Sequence, residues 1–291
     1  MTKPELLYHY TTAEGLLGIL QSGTLRATDV RHLNDRRELI VSYDLLVQKL
    51  QSPGSDINLH PGVGSSLAAT MIDYQDEPQI GPFSVSFCDA SDLLSQWRGY
   101  GRGGYALGFK SDHLSGLSLF QEPVPAFGNG PLPAVPVDLI NVAYAVEDHD
   151  QRIGNFVGSL LGAEEDWAGW DILAGRASAL KVLAGLKHHS FSEEREWRLL
   201  VAEGGGAGRL PERFRAKESG AIAPYLDIPI DLAGALRHIV IGPGSYTRNL
   251  LPEGDHSPMP GGLDAIKRLA NSYGLYEVAV RYSNVPYDGV P

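Results

Sequence analysis

Two short segments of the chain alternate apolar and polar residues with a period of two, the pattern of a β-strand with one buried face. They are PFSVSFCD, residues 82–89, and YALGF, residues 105–109. Other segments predict strands at 6–10, 25–28, 137–145, 196–201, 225–228, 238–241 and 276–282, and helices near 12–22, 34–50, 65–73, 150–161, 164–187 and 263–273. Because strands and helices come in blocks and do not alternate one by one, the sequence predicts an α+β fold.

The first two helices carry recognisable start and stop signals. Thr11, with Glu14 three residues later, has the pattern of a capping box at the start of the first helix. Gly23 predicts the end of that helix, and Asn34 is the predicted cap of the next one.

The length of 291 residues allows one large domain or two ordinary ones. The segment 122–136 holds five prolines and two glycines, which is typical of an irregular surface excursion. We therefore expect a single domain over residues 1–291, with a weak internal boundary at 122–136.

The net charge limits the partners of the chain. With 24 Lys and Arg against 35 Asp and Glu, the charge is -11, which disfavours general binding to nucleic acids or anionic membranes. Residues 181–217 are the exception, since they carry 8 basic and 5 acidic side chains. An anionic cofactor or a nucleic-acid acceptor held only at that segment remains electrostatically reasonable.

The chain has one cysteine, Cys88, so it has no internal disulfide and no multi-cysteine zinc site. A buried core position is favoured for Cys88 over a nucleophilic role. The N-terminus lacks the pattern of a secretion signal, and no apolar run approaches the length of a membrane span. We expect a cytoplasmic protein that has no membrane partner and no metal.

Two familiar kinds of site, a dinucleotide-binding loop and a histidine metal site, are disfavoured by the order and spacing of their residues. The glycine cluster GYGRGGY, residues 99–105, follows a helical turn and precedes a strand, the reverse of the order in a dinucleotide-binding fold. His188 and His189 are adjacent and lack a spaced carboxylate partner, so a solvated helix C-terminus is favoured over a metal site.

Two polar segments remain, YHYTT at 8–12 and FSEEREWRLL at 191–200. On an extended backbone Glu194 and Glu196 would point to the same side at the mouth of a strand. The alternative is a helix start capped by Ser192 with acidic residues in its first turn. Spacing alone leaves both open.

Four blocks, YHYTTAEGLLGILQSGTLRATDVRHLND, FSVSFCDASDLLSQWRGYGRGGYALGF, FSEEREWRLL and HIVIGP, occur in that order along nearly the whole chain. Together they resemble the bacterial domain-of-unknown-function family 2971. That family is distantly similar to ADP-ribosyltransferases, including those that modify nucleic acids. The resemblance implies an ADP-ribosyltransferase-like split sheet, mixed or antiparallel, flanked by helices.

The resemblance also implies roles for individual residues. His9 would hydrogen-bond the adenosine-side ribose of NAD, Glu196 would be the catalytic carboxylate, and Glu194 would orient or deprotonate the acceptor. The remaining residues implied in NAD binding are Tyr10, Thr11, Ser84, Ser86, Trp97, Arg98, Tyr100 and Tyr105.

Arg98, Trp97 and Tyr100 each have a ligand-binding interpretation and an ordinary structural one. An arginine fork such as Arg98 suits a pyrophosphate, and tyrosine faces suit the nicotinamide ring. The alternatives are an ion pair between Arg98 and Asp92, and plain aromatic packing for Trp97 and Tyr100.

The function implied is cleavage of NAD and transfer of ADP-ribose to a macromolecular acceptor, protein or nucleic acid. The setting implied is a toxin or antiphage effector with an antitoxin or immunity partner. A carboxylate beside the ribose stabilises the oxocarbenium charge that develops as the nicotinamide bond breaks. The alternatives are an inert nucleotide- or RNA-binding module of the same fold, and an NAD hydrolase. On the transferase hypothesis, Glu196→Gln abolishes activity and leaves the fold intact.

Overall fold

The structure is a computed structural model that describes residues 2–33, 36–51, 64, 65, 67, 82–101, 104–123, 132–160, 172–202, 208–217, 220–243 and 260–286. Within these ranges, the side chains of 36–42, 172–174 and 260–261 are not described.

A large mixed sheet dominates the molecule. Its strands and those of a small accessory pair are β1 (Leu6–Thr11), β2 (Thr24–Asp29), β3 (Phe83–Cys88), β4 (Tyr105–Lys110), β5 (Leu117–Leu119), β6 (Glu122–Pro123), β7 (Val135–Asn141), β8 (Glu196–Val201), β9 (Gly208–Arg209), β10 (Arg213–Ala216), β11 (Ile222–Pro229), β12 (Leu236–Ile241) and β13 (Ala279–Tyr282).

In the described part of the chain, eleven of these strands form one sheet, while β6 pairs with β9. The main path is β10-β11-β2-β3-β1-β4-β12-β13, and β8, β7 and β5 branch off from β3 in that order. The pairs are antiparallel except for β12 with β13, which is parallel. Strands from both sides of segment 122–136 therefore share one sheet.

Helices flank the sheet. The longer ones are α1 (Ala13–Ser22), α2 (Arg36–Gln51), α3 (Val146–Ser159), α4 (Ile172–Leu183) and α5 (Pro260–Ser272). Single helical turns lie at Leu94–Gln96, Ser111–Leu114 and Leu232–Ala235, with a π-helical turn at Trp97–Gly101 and 3-10 helices at Val30–His32 and His189–Glu194. The predicted α+β class is confirmed, with a mixed sheet between helices. A search of the described residues finds no helix long and apolar enough to cross a membrane.

Strand β3 has two different neighbours along one edge. Near its start Ser84 pairs with Thr28 of β2, and at its end Cys88 pairs with Tyr8 of β1. The other edge of β3 pairs with β8 along its whole length. In the described sheet no ladder pair joins residues 85–87 to β1 or β2, so the sheet forks beside Ser86.

The two faces of β3 differ as the alternating sequence predicts. Phe83, Val85 and Phe87 point into the main hydrophobic core, together with apolar residues of β8. Ser84, Ser86 and Cys88 therefore share the opposite face. On that face the strand register places Ser86 opposite Arg198 and Cys88 opposite Glu196. Alternation thus brings a row of polar side chains to the fork.

The capping prediction for α1 was wrong by one residue. Thr11 remains in β1, paired with Tyr105, so it is not available as a cap. Thr12 is the N-cap instead, and its hydroxyl accepts a hydrogen bond from the backbone N–H of Gly15 at 3.2 Å. The predicted end is confirmed, because Gly23 adopts the left-handed conformation with φ of 63°.

Other boundaries differ where the sequence pattern is weak. Helix α3 begins at Val146 and α4 ends at Leu183, and the last strand begins only at Ala279, after a turn. Sequence patterning missed β5, β6, β9 and β10, because strands of two to four residues are too short to show a period. Asn34 and most of the predicted helix at 65–73 lie outside the described residues.

The N-cap assignment can be tested with Thr12→Ala. Loss of the hydroxyl leaves the first turn of α1 without its acceptor, so we expect the free energy of unfolding to fall by about 1 kcal/mol. Urea unfolding of the two proteins measures the difference. Thr12→Ser keeps the hydroxyl and serves as the control, with stability close to that of the original protein.

Candidate functional site

A buried ion pair lies at the start of β8. Residues 196 and 198 are two apart on a strand, so their side chains share a face. Arg198 Nε donates to Oε1 of Glu196 at 2.7 Å, and Arg198 Nη2 donates to Oε2 at 2.8 Å. Both side chains are buried, at 5% and 7% exposure. The guanidinium thus holds the carboxylate by two parallel hydrogen bonds, the strongest geometry for such a pair.

A second cation approaches the same carboxylate. Lys187 is fully buried, and its Nζ lies 3.3 Å from Oε2 of Glu196 and 2.7 Å from Oε2 of Glu194. The Lys187 backbone N–H donates to the Ala143 carbonyl at 2.9 Å, which fixes the chain at this point. Its ammonium also lies 4.8 Å from the centre of the Phe191 ring. A buried lysine requires such compensation, and here two carboxylates provide it.

The two glutamates converge through a turn. Glu194 ends the 3-10 helix His189–Glu194, Glu196 begins β8, and Arg195 between them is left-handed with φ of 48°. Arg195 is the one non-glycine residue with positive φ in the described chain. Neither sequence interpretation was right, because Glu194 is neither on the strand nor in the first turn of a helix. The left-handed residue redirects the backbone so that both carboxylates meet at Lys187.

Glu194 is the more accessible of the two carboxylates. Its side chain is 13% exposed, and the hydroxyl of Tyr100 donates to it at 3.1 Å. Tyr100 lies in the π-helical turn and is itself 36% exposed. The ion cluster, which we define as Lys187, Glu194, Glu196 and Arg198, therefore reaches solvent at Glu194 and Tyr100.

Ser86 connects the ion cluster to the fork. Its hydroxyl hydrogen-bonds the carboxylate of Glu196. Its carbonyl, which would otherwise continue the pairing towards β1, lies 2.9 Å from Nδ1 of His9. The imidazole thus occupies the position where β1 leaves β3.

The protonation state of His9 follows from its surroundings. Burial lowers the pKa of this imidazole, the hydrogen bond to Ser86 offsets part of that effect, and the nearby charge of Arg215 lowers the pKa further by a smaller amount. The ring is therefore neutral at pH 7. Because a carbonyl only accepts hydrogen bonds, Nδ1 carries the proton and Nε2 is left as an acceptor.

Two opposing effects determine the pKa of Glu196. Burial alone would raise its pKa, but the charge and hydrogen bonds of Arg198, with help from Lys187 and Ser86, outweigh burial and lower the pKa to about 2. The backbone N–H of Glu196 donates to the hydroxyl of Tyr144 at 2.8 Å. Glu196 is therefore ionised at neutral pH.

A pocket of about 480 Å³ lies beside Arg195, at the end of β3. Its lining includes Tyr8, Asp89, Ser91 and Arg195. Arg195 Nε lies 2.6 Å from Asp89 Oδ1, so an ion pair forms part of the wall.

The other residues predicted for NAD binding lie around this site in different environments. Tyr10 and Trp97 are buried against each other with ring centres 4.7 Å apart. The Tyr10 hydroxyl donates to the Ala90 carbonyl and accepts from the Leu93 N–H. Thr11 and Tyr105 pair across β1 and β4. These four contribute to the framework that holds β1 and the π-helical turn.

Arg98 and Ser84 do not belong to that framework. Arg98 is exposed on the π-helical turn. Asp92, its proposed partner, accepts hydrogen bonds from Trp97 Nε1 at 2.8 Å and from the Asn284 N–H at 2.7 Å. Ser84 is 3% exposed, and its hydroxyl has no hydrogen-bond partner among the described residues.

The preferred interpretation of Cys88 is confirmed, and that of the histidine pair was wrong. Cys88 is fully buried, and burial raises the pKa of its thiol to about 12. His188 does not lie at a helix C-terminus, because α4 ends at Leu183. It is the N-cap of the following 3-10 helix, with Nδ1 accepting from the Ser190 N–H.

Sequence reasoning missed Lys187, Arg198 and Tyr144. Arg198 was detectable, because it shares a strand face with Glu196. Tyr144 lies in the predicted strand 137–145 and Lys187 at the end of the predicted helix 164–187, but only the tertiary fold brings them to the carboxylates. No group of three or more potential metal ligands occurs among the described residues.

A family described as "Protein of unknown function (DUF2971)" matches residues 96–199. The match includes the ion cluster and Tyr100 and supports the family resemblance. The quoted blocks near His9 and at HIVIGP lie outside it. No curated protein and no solved structure matches the chain.

The ion cluster changes what is expected of Glu196→Gln. Removing this charge leaves Arg198 and Lys187 buried with Glu194 alone, so we expect a loss of about 3 kcal/mol or more in the free energy of unfolding. Urea unfolding measures it. Glu193→Gln, a neighbouring exposed carboxylate, is the matched control and should change stability by less than about 0.5 kcal/mol. Equal stability of Glu196→Gln and the original protein would contradict the cluster.

The ion pair between Glu196 and Arg198 also predicts how the free energy of unfolding depends on pH. The pKa of Glu196 is about 2 in the folded protein against an ordinary value of 4.5. Its contribution is therefore fully present above about pH 4.5 and is lost as the pH falls towards 2. Urea unfolding across this range should show stability declining more steeply for the original protein than for Glu196→Gln. Parallel declines would mean that another carboxylate is responsible.

Proposed function

We propose that the protein cleaves NAD at the fork and transfers ADP-ribose to a macromolecular acceptor. The observation that carries the proposal is a continuous set of contacts from His9 through Ser86, Glu196 and Lys187 to Glu194. This set links the residues that the family resemblance implies, although they lie far apart in the sequence. It lies where β1 leaves β3, which agrees with the split sheet that the resemblance implies.

In this proposal Glu194 is the reactive carboxylate. It is closer to solvent than Glu196, and it accepts hydrogen bonds from Lys187 and from Tyr100. Glu196 already neutralises a bidentate arginine, so less of its charge is available to a ligand. Glu196 then acts as a positioning residue that keeps Lys187, and through it Glu194, in place.

The chemistry follows from these positions. The bond between C1′ of the ribose and the nicotinamide nitrogen breaks, and its electron pair leaves with nicotinamide. The ionised Glu194 stabilises the positive charge that develops on the ribose. The acceptor then forms the new bond to C1′, and its proton passes to Glu194. Neutral His9 offers Nε2 as a hydrogen-bond acceptor for a ribose hydroxyl.

Incubation with NAD labelled in its adenosine half tests the proposal, with a cell extract supplying protein and nucleic-acid acceptors. We expect release of nicotinamide and transfer of label to a macromolecule. Glu194→Gln should reduce the rate by about a hundredfold or more, because it removes the charge and keeps the shape. Glu193→Gln, one residue away and exposed, should leave the rate unchanged.

Other outcomes separate the alternatives. Nicotinamide together with free ADP-ribose would identify a hydrolase. Absence of nicotinamide release would leave an inert binding module and overturn both enzymatic hypotheses. If Glu194→Gln retained full activity, the assignment of the reactive carboxylate would be wrong.

A further inference from the structure

A basic surface lies on the far side of the fork, on β10, β11 and β2. We define the basic face as Arg26, Arg213 and Arg215. Arg26 on β2 and both arginines of β10 are exposed. Strand alternation and the pairings of β11 place all three side chains on the same face of the sheet.

Positive charge on this face exceeds its internal compensation. Arg213 Nη1 lies 3.0 Å from Asp227 Oδ2, and the guanidinium of Arg26 lies 5.3 Å from the centre of the Tyr225 ring. Burial lowers the pKa of Arg215, and the charge of Arg26 lowers it further. Arg213 and Arg215 are two residues apart on β10 and share a face with Arg26, so like charges lie close together, an arrangement that an anion would relieve.

The basic face is connected to the fork. Arg215 is opposite Ala223 of β11, and its Nη2 donates to Oγ1 of Thr28 on β2 at 2.8 Å, so its side chain spans β11. Thr28 pairs with Ser84, which has the buried and unpartnered hydroxyl, and Ser86 lies two residues further on the same face. The charge of Arg215 also lowers the pKa of His9. A polar path thus runs from the basic face to the proposed reaction centre.

We propose that the basic face binds the phosphate backbone of a single-stranded nucleic acid and presents it to the fork. Guanidinium groups bind phosphate oxygens by two hydrogen bonds, and three of them on one face of the sheet can contact different phosphates of one strand. A basic sheet face can follow a single strand, whereas the grooves of a duplex admit a helix or a two-stranded ribbon. The net charge of -11 disfavours indiscriminate binding of the strand to the rest of the chain.

This strand would be the acceptor of the proposed transferase, and to that extent the inference rests on the proposed function. Binding needs no NAD, so the two can fail separately. The probe is a fluorescein-labelled single-stranded DNA of about 16 nucleotides and its RNA counterpart, followed by anisotropy at several salt concentrations. Three phosphate contacts predict that the logarithm of the affinity falls with the logarithm of salt with a slope of about -2.

The test variant is the double substitution Arg26→Gln and Arg213→Gln, which spares the hydrogen bond of Arg215 to Thr28. We expect the affinity at low salt to fall about tenfold or more, and the salt slope to become shallower by about 1.4. Arg268→Gln is the matched control. Arg268 is an exposed arginine of α5 that pairs with Asp264, and its removal should leave both quantities unchanged.

Three results would overturn the inference. The first is no binding of either oligonucleotide at low salt, and the second is an equal loss in the double variant and in Arg268→Gln. The third is full displacement of the oligonucleotide by millimolar ADP at constant ionic strength, which would assign the face to the dinucleotide. Binding of phosphatidylserine vesicles without binding of an oligonucleotide would likewise replace nucleic acid with a membrane. If NAD cleavage failed and oligonucleotide binding persisted, only the proposed function would be lost.

Discussion

The buried ammonium of Lys187 determines much of the architecture around it. An unpaired charge in a protein interior is strongly destabilising, so the chain must bring carboxylates to it. Glu196 comes from the first residue of β8, and Glu194 comes from the end of a 3-10 helix. The left-handed Arg195 between them is the backbone cost of bringing both to one cation.

The two carboxylates have the same chemistry and different environments. Glu196 is held by Arg198 and Lys187 and is almost inaccessible, whereas Glu194 is contacted by Lys187 and by the exposed Tyr100. If the proposed function holds, this division assigns the structural and the reactive task to separate groups. It also explains why a loss of activity in a Glu196 variant would not by itself identify a catalytic residue, since the same change disturbs the fold.

The sequence predicted those parts of the fold that depend mainly on residues close together in the chain. The alternation in FSVSFC predicted β3 and its buried face, the residue type predicted the interior position of Cys88, and Gly23 predicted the end of α1. Thr12 replaced Thr11 as the cap because pairing with Tyr105 keeps Thr11 in β1, and that pairing is a tertiary contact. Lys187, Tyr144 and the conformation of Arg195 have no signal in a single sequence, because their neighbours come from distant segments. The polar residue types at the site were predictable, and the charges that compensate them were not.

The pairing of β3 with β8 determines when the contacts at the fork can form during synthesis and folding. It joins residues 83–88 to residues 196–201, more than a hundred positions apart, and every contact between Ser86 and the ion cluster depends on it. Closing so long a loop is slow, and during synthesis β8 leaves the ribosome only after most of the chain has been made. A nascent or truncated chain therefore contains His9 and Ser86 but no carboxylates beside them. Any chemistry at the fork is withheld until translation and folding are nearly complete, a delay imposed by topology alone.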